Sequence, residues 1–295
     1  MNKIEFYKNR SLGERFSVAA QFIRQNWKAL IKIILIPATP LVLVMGYFEH
    51  HFMISINTIT ANITNYQGFK EFYSDMGISF FIYILIVSLF MIVIYALSAT
   101  VMNRYEEGTI NSDVNVPDFW HKVLLNMKKV FLVNVAVALL FIGISAIFVF
   151  FIVITPVILK VLFVMIFFMG IFAIFPSISL VFYPAIFQGK TVWRSIIKGV
   201  IIGFKNWGTT FVILLIAGIV TGIISTFLQM PSFIFNTFNP GQTGIVPYIL
   251  ALLSSFAYVI VTPLTFIFLA FHYFSIIEKE EGISLKSKIE QFDNL

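Results

Sequence analysis

The sequence KTVWRSIIKGVIIGFKNWGTTFVILLIAGIVTGIISTFLQM, residues 190–230, decides the fold. Its first half repeats apolar residues at helical spacing from Trp193 to Trp207, with Lys and Arg on the opposite face. Its second half has no charged residue from Phe211 to Leu228. The pattern predicts a basic helix that lies on a membrane surface and turns into a helix that crosses the membrane.

The composition of the whole chain agrees with a membrane protein. Of its 295 residues 59% are hydrophobic and only 12% are charged, about half the charge of a soluble domain. The net charge of +6 does not predict nucleic-acid binding, because the basic residues flank apolar segments instead of forming one solvated patch. Acidic phospholipid headgroups are the expected partner, at about 1 kcal/mol for each well-placed Lys or Arg. The chain has no cysteine, which excludes disulfides and thiolate metal sites.

The same pattern predicts an all-α fold with six transmembrane helices in one integral membrane domain, 1–295. The spans are expected at about 29–48, 78–102, 130–154, 161–187, 208–229 and 245–274. Amphipathic interfacial helices are expected at 11–28, 117–129 and 190–206, with a cytoplasmic tail at 278–295. Ser11 and Glu14 have the spacing of a capping box. Residues 1–10 are predicted to be polar and loose, and a polar loop is predicted from Glu49 to Gly77.

An asparagine marks each predicted junction between an interfacial helix and a span: Asn26, Asn126 and Asn206. One interpretation is a threefold repeat of a surface helix followed by a transmembrane hairpin. The other is that every span entering from this side needs an interfacial anchor, for which Trp and Lys are typical.

The distribution of cations predicts the orientation. All of the 20 Lys and Arg residues except Lys70 and Lys160 fall on the side that holds both termini. The positive-inside rule makes that side cytoplasmic, and the composition suggests a bacterial inner membrane. The residues expected to contact lipid headgroups or the interface are Arg24, Trp27, Lys28, Trp120, Lys122, Lys128, Lys129, Trp193, Arg194, Lys198, Lys205 and Trp207.

No catalytic, cofactor-binding or metal-binding residue is predicted. All 14 acidic residues fall outside the predicted spans, although intramembrane charge is the usual sign of transport. The adjacent His50 and His51 lack the i,i+3 or i,i+4 spacing of a helical metal site. His272 is placed near the inner end of span six, and Ser255 is interpreted as a polar contact between helices.

The prolines in the spans have two interpretations, and the paired glycines have one. Prolines at 37, 40, 176, 184 and 263 should bend the helices, or mark broken helices around a transport cavity. Two pairs of glycines four residues apart are predicted to pack helices closely. These pairs are Gly199 with Gly203, and Gly218 with Gly222.

Three segments carry a resemblance to known families. KNRSLGERFSVAAQFIRQNWKALIK at 8–32 and FHYFSIIEKEEGISLKSKIEQF at 271–292 resemble an uncharacterised family of six-span bacterial membrane proteins. SLVFYPAIFQGKTVWRSIIKGVIIGFKNW at 179–207 is similar in style to the membrane domain attached to some glycerophosphodiester phosphodiesterases. The catalytic domain of those enzymes has no counterpart in this sequence, so the resemblance implies a membrane fold and no hydrolase activity.

The predicted function is non-enzymatic, without cofactors: a membrane scaffold or accessory subunit that contacts lipids or partner proteins, among them further copies of this chain. The alternative is a permease or exporter of an apolar or lipid-like substrate. An intramembrane enzyme is the third hypothesis, and the absence of acidic residues and cysteine from the predicted spans disfavours it.

Overall fold

The computed structural model describes residues 3–62, 77–110, 116–239, 242, 244–284 and 289, and this part of the chain contains helices and no strands. Within it, six helical segments are long and apolar enough to cross a membrane, which confirms the predicted all-α class and the predicted number of helices able to span. The helices are α1 (Leu12–Leu30), a π-helix (Ile31–Leu35), α2 (Ile36–Asn62), α3 (Gly77–Glu106), α4 (Val116–Ile154), α5 (Val157–Ile178), α6 (Tyr183–Phe187), α7 (Val192–Lys205), α8 (Trp207–Phe238) and α9 (Ile245–Glu281).

The chain divides into two compact units. Unit 1 consists of Met1–Gln25, Ser112–Ile216 and Ile267–Leu295, and unit 2 consists of Asn26–Asn111 and Ala217–Phe266. The part of the predicted tail beyond residue 284, apart from residue 289, lies outside the described residues.

Two of the three asparagine junctions break the helix and one does not. Asn26 has φ −116° and ψ 15°, and Asn206, between α7 and α8, has φ −112° and ψ 26°. The Asn206 side chain donates to the Ile202 carbonyl at 3.0 Å, while its own carbonyl accepts from the Thr210 N–H at 2.9 Å. It therefore ends one helix and starts the next. Asn126 lies inside the unbroken helix α4, so the predicted boundary between 117–129 and 130–154 is absent.

Helix α2 continues well past the predicted end of span one. The segment expected to be a polar loop from Glu49 is helical as far as Asn62, and it contains neither Gly nor Pro to stop the helix. The rest of that predicted loop, 63–76, lies outside the described residues.

The prolines differ in whether a helix continues through them. Pro37 and Pro40 do not interrupt α2, and the distortion is the π-helix just before it. Pro37 cannot donate to the Ile33 carbonyl four residues earlier, which accounts for the irregular turn at that place. Predicted span four is divided, because α5 ends at Ile178, two residues after Pro176, and Pro184 lies in the first turn of the short α6.

Unit 1 packs α7 directly against the chain that follows α5. Ser195 donates to the Val181 carbonyl at 2.7 Å. A Cβ added at Gly199 would lie 2.5 Å from Val181 Cα, and one at Gly203 would lie 2.4 Å from Ser177 Cα. The first glycine pair therefore packs backbones closely, as predicted. Gly218 and Gly222 in unit 2 have no such neighbour within 4 Å among the described residues, so the packing predicted for that pair is not found there.

The N-terminal segment is anchored rather than loose. Phe6 is 4% exposed and stacks on Phe274 with ring centroids 5.1 Å apart. The Arg10 N–H donates to Ser275 Oγ at 2.9 Å, and that hydroxyl donates back to the Arg10 carbonyl at 3.2 Å. Glu14 accepts from the Ser11 N–H at 2.7 Å, which confirms the predicted capping interaction at the start of α1.

Candidate functional site

A shallow groove beside α7 contains two of the residues predicted to contact lipid. It has a volume of about 360 Å³ and is lined by Lys190, Arg194, Ile197, Lys198, Ile201, Ile202 and Glu280. Arg194 and Lys198 are four residues apart and therefore lie on the same side of α7. Ile197 and Ile201 have the same spacing and lie beside them. Cations therefore lie beside exposed isoleucine side chains, an arrangement that suits a phosphate group and the glycerol and acyl carbons that follow it.

The cations of this groove differ in how they are held. Lys190 and Arg194 are exposed. Lys198 is half-buried, forms an ion pair with Glu281 and donates to Gln188 Oε1 at 2.6 Å. Lys198 thus ties α7 to the end of α9, which leaves Lys190 and Arg194 as the cations available to a ligand.

The other predicted interface residues are spread over several helices. Those that are exposed are Arg24, Trp27, Lys28, Trp120, Lys128, Trp193 and Lys205, and those that are half-buried are Lys122, Lys129 and Trp207. Lys28 Nζ lies 5.7 Å from the centroid of the Trp27 ring. The Trp207 indole donates to the Ala173 carbonyl at 2.7 Å, so this ring also attaches α8 to α5. Their predicted contacts with lipid headgroups stay a prediction.

An apolar cavity of about 210 Å³ lies in unit 1 between α4, α5 and α7. Its walls include Phe141 from α4, Phe167 and Gly170 from α5, and Ile196 and Val200 from α7. A Cβ at Gly170 would meet no atom of the described residues within 4 Å. The lining is apolar throughout, so it favours a hydrocarbon chain over a polar ligand.

His272 has a structural position in unit 1. Arg15 Nη1 lies 2.8 Å from its Nδ1, and Thr210 Oγ1 lies 2.9 Å from its Nε2. A guanidinium only donates, so Nδ1 must accept and Nε2 must carry the hydrogen. Thr210 in turn donates to the Asn206 carbonyl at 2.9 Å. The ring thereby connects α1, α8 and α9 with every hydrogen bond satisfied.

Glu49 is a buried acidic residue that sequence reasoning missed. The predicted first span ended at residue 48, whereas the helical segment long and apolar enough to cross a membrane continues to Phe52 and includes Glu49, which is 8% exposed. Ser255 Oγ of α9 donates to Glu49 Oε2 at 2.9 Å. The available signal was the absence of any helix-breaking residue after position 48, which would have placed Glu49 within a helix.

The adjacent histidines contact aromatic rings. His50 lies 6.0 Å from the ring of Tyr248, and His51 lies 4.4 Å from the ring of Tyr47. Within the described residues no group of three or more His, Asp or Glu side chains is placed to hold a metal ion.

Comparison of the chain with protein-family models, with curated proteins and with solved structures gives no match in any of the three. The resemblances drawn from the sequence therefore stay predictions, and function has to be inferred from the geometry alone.

Proposed function

We propose that this protein is a non-enzymatic, multi-pass scaffold or accessory subunit of a bacterial inner membrane that binds anionic phospholipid. Both termini would lie in the cytoplasm, where the basic residues meet the acidic headgroups of the inner leaflet. Other membrane proteins or further copies of the chain would be its partners. Six helices of sufficient length and apolarity support the membrane location.

The observation that carries the proposal is the groove beside α7. Lys190 and Arg194 supply two exposed positive charges, and Ile197 and Ile201 supply exposed apolar surface beside them. A phospholipid presents the same sequence of chemistry, a phosphate followed by hydrocarbon. A soluble anion would use the cations and leave the isoleucines exposed to water, which makes the lipid the better match.

Replacement of Lys190 and Arg194 by Gln should weaken the preference for anionic lipid. Two basic residues at about 1 kcal/mol each amount to a loss of roughly tenfold to thirtyfold. The full-length protein would be released from nanodiscs that contain phosphatidylglycerol and phosphatidylethanolamine, and native mass spectrometry would count the lipids that remain bound. The wild type should retain phosphatidylglycerol selectively.

Lys205→Gln is the matched control, because Lys205 is an exposed cation of the same helix that does not line the groove. The control should lose much less selectivity than the double variant. Equal selectivity in the wild type and the double variant would overturn the assignment of the groove.

The second candidate is a permease or exporter of a lipid-like substrate. The apolar cavity between α4, α5 and α7 favours it, because a cavity of this lining could hold an acyl chain during movement. Faster transbilayer movement of a labelled phospholipid in liposomes that contain the purified protein would support this candidate over the scaffold.

A further inference from the structure

Glu49 is held between two helices of unit 2 that pack closely. Its carboxyl group accepts a hydrogen bond from Ser255. One turn earlier, a Cβ at Gly46 would lie 2.5 Å from Leu252 Cδ2 and 3.0 Å from Leu252 Cα. The backbones of α2 and α9 are thus in direct contact beside the carboxyl group. This close packing leaves little space for a bound molecule.

Hydroxyl and amide groups from two more helices complete the surroundings of Glu49. Tyr83 of α3 and Tyr258 of α9 lie near each other and near the Glu49 carboxyl group. Tyr258 also lies near Gln229 of α8, whose amide donates to Ser225 at 2.7 Å. These neutral polar side chains supply no countercharge to Glu49.

No cation of the surrounding helices is available to neutralise Glu49. The sequence of α2, of α3 before Arg104, and of the parts of α8 and α9 in unit 2 contains neither Lys nor Arg. The titratable groups nearby are Tyr83, Tyr258 and the adjacent His50. Burial of a carboxylate without a countercharge costs several kcal/mol, and a bound proton removes that cost.

The cluster lies far along its helices from the basic side. Glu49 follows Trp27 by 22 residues, which is roughly 33 Å of helix at 1.5 Å per residue. Tyr83 precedes Arg104 by 21 residues, also roughly 30 Å. Because the hydrocarbon layer is about 30 Å thick, Glu49 is placed near its opposite boundary, where protons from that side can reach it.

From this arrangement we infer that Glu49 is an intramembrane proton-binding site, held by the hydrogen bond from Ser255, which exchanges protons with the side of the membrane opposite the basic residues. The site belongs to unit 2 and does not depend on lipid binding by the groove of unit 1. A proton is the ligand that suits a site where the described residues supply a single acid, no countercharge and close helix packing.

Infrared difference spectroscopy of the full-length protein in liposomes tests this inference. Spectra recorded at about pH 5 and about pH 9 should differ in the carbonyl band of a protonated carboxylic acid. That band should be lost at the higher pH in the wild type and be missing at both values in Glu49→Gln. Asp118→Asn, which removes an exposed carboxylate on α4, should leave the band unchanged.

Ser255→Ala makes the result independent of how well Glu49→Gln folds. Removal of the hydroxyl that donates to Glu49 should shift the same band to a higher frequency, because the carbonyl loses a hydrogen bond. A purely structural role for Glu49 would give no pH-dependent band. The inference is overturned if the wild type and Glu49→Gln give the same difference spectrum, or if the Glu49 band persists at both pH values.

Discussion

The clearest structural role of a single residue belongs to His272, which is fully buried and contacts Arg15 and Thr210. Replacement by Phe would leave the buried Arg15 guanidinium without one of its acceptors and Thr210 without a donor. We expect a loss of about 2 to 3 kcal/mol in stability. Thermal unfolding of the purified protein in detergent should show it as a lower apparent Tm.

His272→Gln separates lost hydrogen bonds from lost volume, since an amide can both accept and donate and should recover part of the Tm. His121→Phe, the same substitution at an exposed histidine of α4, should have little effect. An unchanged Tm in His272→Phe would show that the contacts of this ring add nothing to stability.

The position of His272 could be predicted from the sequence, but its partners could not. Arg15 lies 257 residues away in the chain, and no local pattern relates two such distant positions. For Glu49, the sequence-based prediction of its position in a helix failed. Assignment of the first span by a run of apolar residues ended it at residue 48, just before Glu49, although the helix continues to Asn62. Helix length is decided by breakers and packing as well as by hydropathy.

Among the elements, α7 depends on its glycines in a way that α8 does not. Gly199→Ala would put a Cβ 2.5 Å from the Val181 backbone, which cannot move aside as a flexible side chain can. We expect a loss of about 1 to 3 kcal/mol, measured as a lower apparent Tm. Gly218→Ala is the matched control in another glycine pair, and it should be neutral or raise stability by up to about 1 kcal/mol.

Equal effects of the two alanine substitutions would contradict the packing of α7. The sequence could not separate the two glycine pairs, because their spacing shows that a helix allows close approach without showing whether a neighbour uses it. The same limit applies to the junctions. Asn26, Asn126 and Asn206 look alike in sequence, yet Asn126 is followed by an unbroken helix.

For the molecule as a whole, the orientation proposed from the cations can be measured on a natural cysteine-free background. A membrane-impermeant maleimide applied to intact cells should label Gln242→Cys, in the segment between α8 and α9. It should label Gly13→Cys and Lys279→Cys only after lysis, because the positive-inside rule places both near the cytoplasm. All three positions are exposed in the structure. Labelling in the reverse pattern would invert the proposed topology.

The contacts of Phe6 and Arg10 with α9 determine when the N-terminal segment can reach its final structure during synthesis. Arg10 and Ser275 are 265 residues apart in the chain, so a ribosome must add more than 260 residues after Arg10 before it can meet its neighbours on α9. Until α9 has been synthesised, Phe6 and Arg10 lack their contacts with it. A chain that ends before residue 270 would lack the ring contacts of Phe6 with Phe271 and Phe274.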